Sequence, residues 1–212
     1  MPAAGTKKHS QYRGLTARDL ALIAVFAALI AALSVTVAIP IPFSPVPITL
    51  QTLGVMLAPS LLGWKRGTLA VATFLALGLA GLPLFAGGRG GVAVLAGPSA
   101  GFIVSWIFAA LVIGYLTDLM IRRRNYNLWA GIGINVLGGI VVIYAIGVPW
   151  LAVALGDGFL AAAYSMAVFL PGDLVKAVLA AAIAATVARA YPVPPAGRPV
   201  VVGTATERAE DA

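Results

Sequence analysis

Cysteine is absent from the 212 residues, and histidine occurs once, as His9. The first absence excludes a disulfide framework, a thiolate metal site and a cysteine nucleophile. The second leaves no Ser-His relay and no His-ligated metal centre, since His9 stands in a polar N-terminal stretch. Charge is the third shortage. Asp, Glu, Lys and Arg make up 10% of the chain, against about 25% in soluble domains. A globule of this length cannot cover a water-facing surface with so few charges. With 61% hydrophobic residues and a mean hydropathy of +1.00, most of its surface must face lipid. No Gly-x-x-x-x-Gly-Lys-[Ser/Thr] segment occurs, so this chain has no nucleotide-hydrolysing loop of that kind. Nor is there a two-fold repeat of the apolar segments or an in-membrane chain of carboxylates for proton relay. If such a chain drives uphill transport, the energy comes from partners.

What is present is a series of apolar runs with sharp breaks. A crossing needs about 20 apolar residues, and six crossings come close to the ceiling for this length. From Leu20 to Trp64 there is no charge, which is too long for one crossing and right for two. The break is Pro40-Ile-Pro-Phe-Ser-Pro-Val-Pro47, because each proline lacks an N–H and restricts the residue before it. The expected crossings are 18–38, 48–63, 67–81, 99–121, 128–152 and 171–190, with a short interfacial helix over 159–169 before Pro171-Gly172. The fold class is thus an all-α integral membrane protein of six transmembrane helices. Residues 1–16 read as a retained cytoplasmic tail, 17–191 as the membrane domain, and 192–212, Pro-rich and then polar, as a disordered cytoplasmic tail.

The net charge of +7 does not point to nucleic acid, because the basic residues fall in short clusters between apolar runs. Lys7, Lys8, Arg13 and Arg18 precede the first crossing. Lys65 and Arg66 lie between the second and third, Arg122, Arg123 and Arg124 between the fourth and fifth, and Arg189, Arg198 and Arg208 follow the last. Of the opposite connections, only the Gly-rich one carries a basic residue, Arg89. This is the positive-inside pattern, and it places both termini in the cytoplasm.

Asp173 and Lys176 are the exception to an otherwise uncharged membrane interior. Three residues apart on one helix, they share a face. A charge at the centre of a membrane helix costs about 2.5–3.5 kcal/mol, so both need an inward-facing, partnered position. They form either a structural ion pair or one wall of a polar pocket. The outer loops offer further walls: Thr49 and Gln51 after the prolines, and Phe85, Gly87, Gly88 and Arg89 in the Gly-rich loop, where glycines allow close backbone approach and Arg89 suits an anion. Tyr144 and Asn135 in the fifth crossing add hydrogen-bonding groups, and Phe43 and Trp150 add apolar wall. In the first crossing Ala24, Ala28 and Ala32 make a small-residue stripe, which suits close helix approach. Asp19 and Asp118 stand beside basic residues at cytoplasmic ends and read as interfacial charge balance. An intramembrane enzyme or a passive channel finds no support, because Asp173 and Lys176 are the only titratable pair at depth and no ring of like residues appears.

Three separated segments, Pro45-Val-Pro-Ile-Thr-Leu-Gln51, Gly81-Leu-Pro-Leu-Phe-Ala-Gly-Gly-Arg-Gly-Gly91 with Gly97-Pro98, and Phe169-Leu-Pro-Gly-Asp-Leu-Val-Lys176, together resemble the BioY family. Its members are biotin-specific substrate-binding (S) components of energy-coupling factor (ECF) transporters, and the resemblance covers about residues 15–190. It implies a six-helix S-component bundle in the prokaryotic cell membrane, with an outward-facing vitamin pocket and no cofactor. It implies as partners a transmembrane coupling protein and two ATPase subunits. It makes Asp173 and Lys176 ligand-binding, and Ala24 and Ala28 the contact with the coupling protein. Biotin's ureido ring has two N–H donors and a carbonyl. Asp173 can accept from the first, and Lys176 can donate to the carbonyl or to biotin's carboxylate. Another water-soluble vitamin on the same scaffold is the alternative, but that scaffold should lack the Pro-Gly-Asp-x-x-Lys segment.

Overall fold

A computed structural model describes residues 14–36, 38–41, 44–123 and 126–190. The chain runs through helix α1 (Ala17–Thr36), strands β1 (Ala38–Ile41) and β2 (Ser44–Thr49), α2 (Gln51–Leu79), a short 3-10 turn (Val92–Ala96), α3 (Ala100–Arg122), α4 (Leu128–Val136), a π-helical stretch (Leu137–Val142), α5 (Ile143–Leu155), α6 (Phe159–Ala167) and α7 (Leu170–Ala190). Among the described residues four helices are long and apolar enough to cross a membrane: α1, α3, α7 and the continuous Leu128–Leu155 rod of α4, the π stretch and α5. The other two crossings are the arms of α2. The protein is therefore a multi-pass membrane protein, a six-helix bundle. Residues 1–13 of the N-terminal tail, the C-terminal tail, Phe43 and Arg124 lie outside the described residues.

The α2 arms show how the sequence makes a hairpin without a loop. Gly63 has φ 74° and ψ −175°, a backbone region that residues with a side chain essentially never enter. The chain reverses there, with arms at 51–62 and 64–79. The reversal is tight enough that a Cβ on Gly67 would stand 2.3 Å from the Pro59 Cα. Asp118 of α3 closes the elbow by accepting a 3.2 Å bond from the Trp64 N–H. The sequence reading expected crossings at 48–63 and 67–81 with Lys65 and Arg66 in a loop. Instead Arg66 is inside the second arm, only 3% exposed, because Asp19 of α1 receives its guanidinium. Asp19 itself is held in a capping box at the start of α1: it accepts from the Thr16 N–H and hydroxyl, both at 2.9 Å, and its own N–H donates to Thr16 Oγ1. The pair ties α1 to the hairpin.

The Pro-rich segment is also more ordered than a simple break. β1 and β2 form an antiparallel ribbon with Ala38 opposite Thr49, Ile39 opposite Ile48 and Ile41 opposite Ser44. A two-stranded ribbon has only edges, so prolines fit it wherever the missing N–H points outward. β2 therefore takes residues 48 and 49 from the expected second crossing and delivers Thr49 and Gln51 at the top of α2. The remaining boundaries agree closely with expectation. The short helix runs over Phe159–Ala167, with Phe159, Leu160 and Tyr164 exposed, as an interfacial helix requires. α7 begins one residue before Pro171.

The core is made by side chains with almost no exposure, among them Ile30, Phe74, Phe85, Ile113, Ile143 and Leu151. α3 and the α4–α5 rod approach through glycines: a Cβ on Gly138 would meet Ile113 at 2.3 Å, and one on Gly147 would meet Phe102 at 2.3 Å. Small residues at helix contacts are the usual way to gain packing where lipid removes the hydrophobic drive.

Candidate functional site

At the end of the bundle that carries the ribbon and the Gly-rich loop, several elements converge on one pocket that opens outward. β2 and the top of α2 bring Thr49, Gln51 and Thr52. The Gly-rich loop brings Phe85 and Arg89. α3 brings Phe102 and Trp106, α5 brings Tyr144, and α7 brings Asp173 and Lys176.

The Gly-rich loop owes its shape to a tight turn. Phe85 and Arg89 exchange backbone bonds, N–H to O at 2.9 and 3.2 Å. Gly87 and Gly88 make the reversal with φ 74° and 71°. The Phe85 ring anchors the turn by filling the space over Gly78, where a Cβ would come within 2.5 Å of it. It meets Phe74 edge-on at 5.7 Å between ring centroids. Phe85 thus forms pocket wall. Gly87 and Gly88 are exposed and outside the lining; their part is to bend the loop. Arg89 lines the pocket from its rim, where its Nε donates to the Ala86 carbonyl at 3.1 Å.

Asp173 and Lys176 lie in the first two turns of α7, 6% and 8% exposed, with Lys176 Nζ 3.0 Å from Asp173 Oδ1. The pair is not self-contained. Tyr144 donates its hydroxyl to Asp173 Oδ2 at 2.8 Å. Thr52 accepts from Lys176 Nζ at 3.0 Å and donates to Asp173 Oδ1 at 3.4 Å. α2, α5 and α7 are thereby joined around one carboxylate, which fixes it in place while the ammonium keeps donor capacity to spare. The π-helical stretch Leu137–Val142 directly precedes Ile143 and Tyr144; the extra residue in its turn resets the phase at which Tyr144 leaves the rod, as π-bulges commonly do at functional sites.

Three pocket residues are buried with a polar atom that has no hydrogen-bond partner among the described residues: Gln51 Nε2, Ser99 Oγ and Trp106 Nε1. Gln51 Oε1 accepts from the Thr49 hydroxyl at 3.3 Å, which turns its amide N–H groups the other way. Native proteins rarely leave buried donors unmade, at about 1–3 kcal/mol each, so these three, from the top of α2 and from α3, mark where a ligand's acceptors would sit. Apolar surface completes the pocket: Phe102, which meets Tyr144 edge-on at 6.3 Å, with Ile143, Met166 and Phe169.

The structure brings Thr49, Gln51, Phe85, Arg89, Tyr144, Asp173 and Lys176 to the lining of one pocket. It does not bring in Asn135, which is buried below among α4, donating to the Gly131 carbonyl at 2.9 Å and facing Ser60 at 3.1 Å. Trp150 is also elsewhere, its N–H on the Gly97 carbonyl. Sequence reading passed over Thr52, Ser99, Trp106 and Met166. Thr52 directly follows Gln51 and Ser99 directly follows Gly97-Pro98, so both were within sight; Trp106 and Met166 carry no local signal among so many apolar neighbours. Ala24, Ala28 and Ala32 are exposed along the outside of α1, while Ile23, Ala27 and Ile30 pack inward.

Comparison with known proteins agrees with this geometry. Residues 6–193 match the BioY family. A protein of Rhizobium etli described as biotin transporter BioY is 45% identical over 185 residues, 86% of this chain and 99% of that protein. One of Rhodobacter capsulatus with the same description is 47% identical over 184 residues, 82% and 95% of the two chains. Among solved structures, the crystal structure at 2.1 Å of the S-component for biotin from an ECF-type ABC transporter superposes with a TM-score of 0.78 and 37% identity, covering 81% of this chain and 91% of that one.

Proposed function

The chain belongs to the BioY family, and from that premise we propose that it is the membrane-embedded biotin-binding component of an ECF-type uptake system, working with a transmembrane coupling protein and two ATPase subunits. The observation that carries this reading is the match between the pocket's polar set and biotin's groups. Asp173, held by Tyr144 and Thr52, accepts from the ureido N–H groups. Gln51, Ser99, Trp106 and Lys176 supply donors for the ureido carbonyl and the carboxylate, and Arg89 at the rim faces the anionic tail. Phe85, Phe102, Ile143 and Met166 pack the thiophane and the aliphatic chain. Every polar group of biotin then has a partner, and an analogue with an opened ring leaves several buried groups unmade.

The test is equilibrium binding of labelled biotin to the purified protein in detergent, without nucleotide. One biotin per chain is expected, undisplaced by excess thiamine or riboflavin. Tight binding of another vitamin with none of biotin would replace this reading by the alternative one.

The exposed alanines of α1 support a docking role. A leucine at Ala28 points away from the core, so it leaves the pocket unchanged, yet it adds bulk where two helices must approach closely; such overpacking costs about 1–3 kcal/mol. Ala28→Leu is expected to bind biotin normally and to lose most uptake when expressed with the energy module. A parallel loss of binding would instead make the stripe part of the internal packing.

The basic residues set the orientation. With no native cysteine, a cysteine at the exposed Leu82 of the Gly-rich loop is expected to react with an impermeant thiol reagent from outside, and one at the exposed Arg123 only from inside. Leu82 is preferable to Gly88, whose φ of 71° disfavours any side chain. Labelling of both from one side would overturn the topology.

A further inference from the structure

We propose a second binding site on this bundle: a trough at its basic end that holds one anionic glycerophospholipid. The trough runs along α3 beside the α2 elbow and shares no lining residue with the vitamin pocket. Its lining is graded. Leu111 and Val112 form one end, Tyr115, Leu119 and the Trp64 ring the middle, and Asp118 and Arg122 the other. From residue 111 to residue 122 an α-helix rises about 16 Å, close to half of the roughly 30 Å hydrocarbon layer. That is the depth of one leaflet. Its apolar end matches an acyl chain, and its polar end matches a headgroup.

The aromatic residues sit where the two meet. Tyr115 is 61% and Trp64 38% exposed, as is usual for rings at a membrane interface. Gly114 puts the α3 backbone against the elbow, where a Cβ would come within 2.4 Å of the Trp64 Cα, so the indole stands at the trough wall. Lys65 places its ammonium 5.4 Å from the centre of that ring.

Charge decides which headgroup. Among the described residues neither Arg122 nor Lys65 has an ion-pair partner, and Arg123 follows at once. The carboxylate present, Asp118, has one oxygen committed to the Trp64 N–H and lies within electrostatic reach of Arg122, so it offsets part of the charge and leaves Lys65 and Arg123 in excess. The polar end is thus a cationic surface with a fork donor and a point charge set for a phosphate. Basic recesses between helices at the cytoplasmic side suit anionic headgroups.

The experiment uses the full chain in neutral detergent, with phosphatidylglycerol or phosphatidylcholine of identical acyl chains added. Melting temperature and lipid retained in native mass spectra are the readouts. The unmodified protein is expected to melt several degrees higher with phosphatidylglycerol than with phosphatidylcholine and to retain one molecule of the former. Lys65→Gln combined with Arg122→Gln should raise the half-saturating phosphatidylglycerol concentration at least tenfold. Leu111→Trp, which fills the chain end and keeps every charge, should do the same, and both variants should still bind biotin. Equal responses to the two lipids would overturn the proposal, as would the same shift from glycerol phosphate alone. So would a lipid preference that survives both variants, or a charge variant that keeps the preference but no longer co-purifies with the coupling protein, which would make the trough a protein interface.

Discussion

Asp173→Asn is expected to reduce biotin affinity by about 2 kcal/mol or more, roughly thirtyfold, without unfolding the protein. The carboxylate accepts from Tyr144, Thr52 and Lys176 at 2.8–3.4 Å. An amide in its place keeps one acceptor oxygen and turns an NH₂ towards either the Tyr144 hydroxyl or the Lys176 ammonium. It also loses the charge that strengthens a bond from a ureido N–H. Lys176→Met should cost a similar amount by removing a charged donor. The double variant distinguishes a ligand site from a structural ion pair. Removing one member of a buried pair is costly, and removing both is often tolerated. If the pair only pinned α7, the double variant would recover both stability and affinity. The expectation is recovery of stability alone. Binding isotherms and melting curves for wild type, both single variants and the double read this out, and a stable double variant with near-normal affinity would show that the pocket is misassigned.

Arg66→Met is expected to have the largest effect on stability, about 3–5 kcal/mol, and little effect on the affinity of the protein that remains folded. Asp19 is 0% and Arg66 3% exposed, and the pair joins α1 to the second arm of α2. Without the guanidinium, a buried carboxylate at the start of α1 keeps only its Thr16 bonds. Combining Arg66→Met with Asp19→Asn removes the stranded charge, so the double variant should regain most of the loss. Melting curves in detergent with and without biotin provide the measurement. Arg66→Met melting like wild type would mean that water reaches the pair and that α1 is held by its apolar contacts alone. Neither residue lines the vitamin pocket, so a direct loss of affinity in the folded fraction would contradict the separation of the two ends.

The sequence by itself determined the solvent, the number of crossings and the location of the Asp173–Lys176 pair. These are local properties. A run of apolar residues is a crossing whatever surrounds it, four prolines in the eight residues from Pro40 to Pro47 interrupt it in any context, and Asp173 and Lys176 share a face because they are three apart on a helix. The reversal at Gly63 was not legible, because single glycines and even Pro59 and Pro149 also stand inside helices. The outer loops were legible as breaks, because the segments before Thr49 and around Phe85 are too rich in proline or glycine to continue a helix, and Thr49, Gln51 and Phe85 stand at or just after those breaks. Only the tertiary structure decided which side chains meet. A membrane helix is apolar on every face, so the amphipathic signal that orients a helix in a soluble protein is missing. Nothing in the order of residues distinguishes the inward Trp106 or Met166 from the outward Val104 or Leu160. Packing settles it, through the glycines that let α3 approach the α4–α5 rod and the π-helical turn ahead of Tyr144. The same limit explains Arg66 and the Pro-rich ribbon. A basic residue beside a turn reads as a loop residue until a carboxylate from another helix is found to face it. Strands that pair only with each other gain no periodic pattern from a core. The turn at Gly87 and Gly88 was legible as a glycine turn, but that its glycines bend the loop while Phe85 and Arg89 face the pocket follows from how the Phe85 ring seats on Gly78.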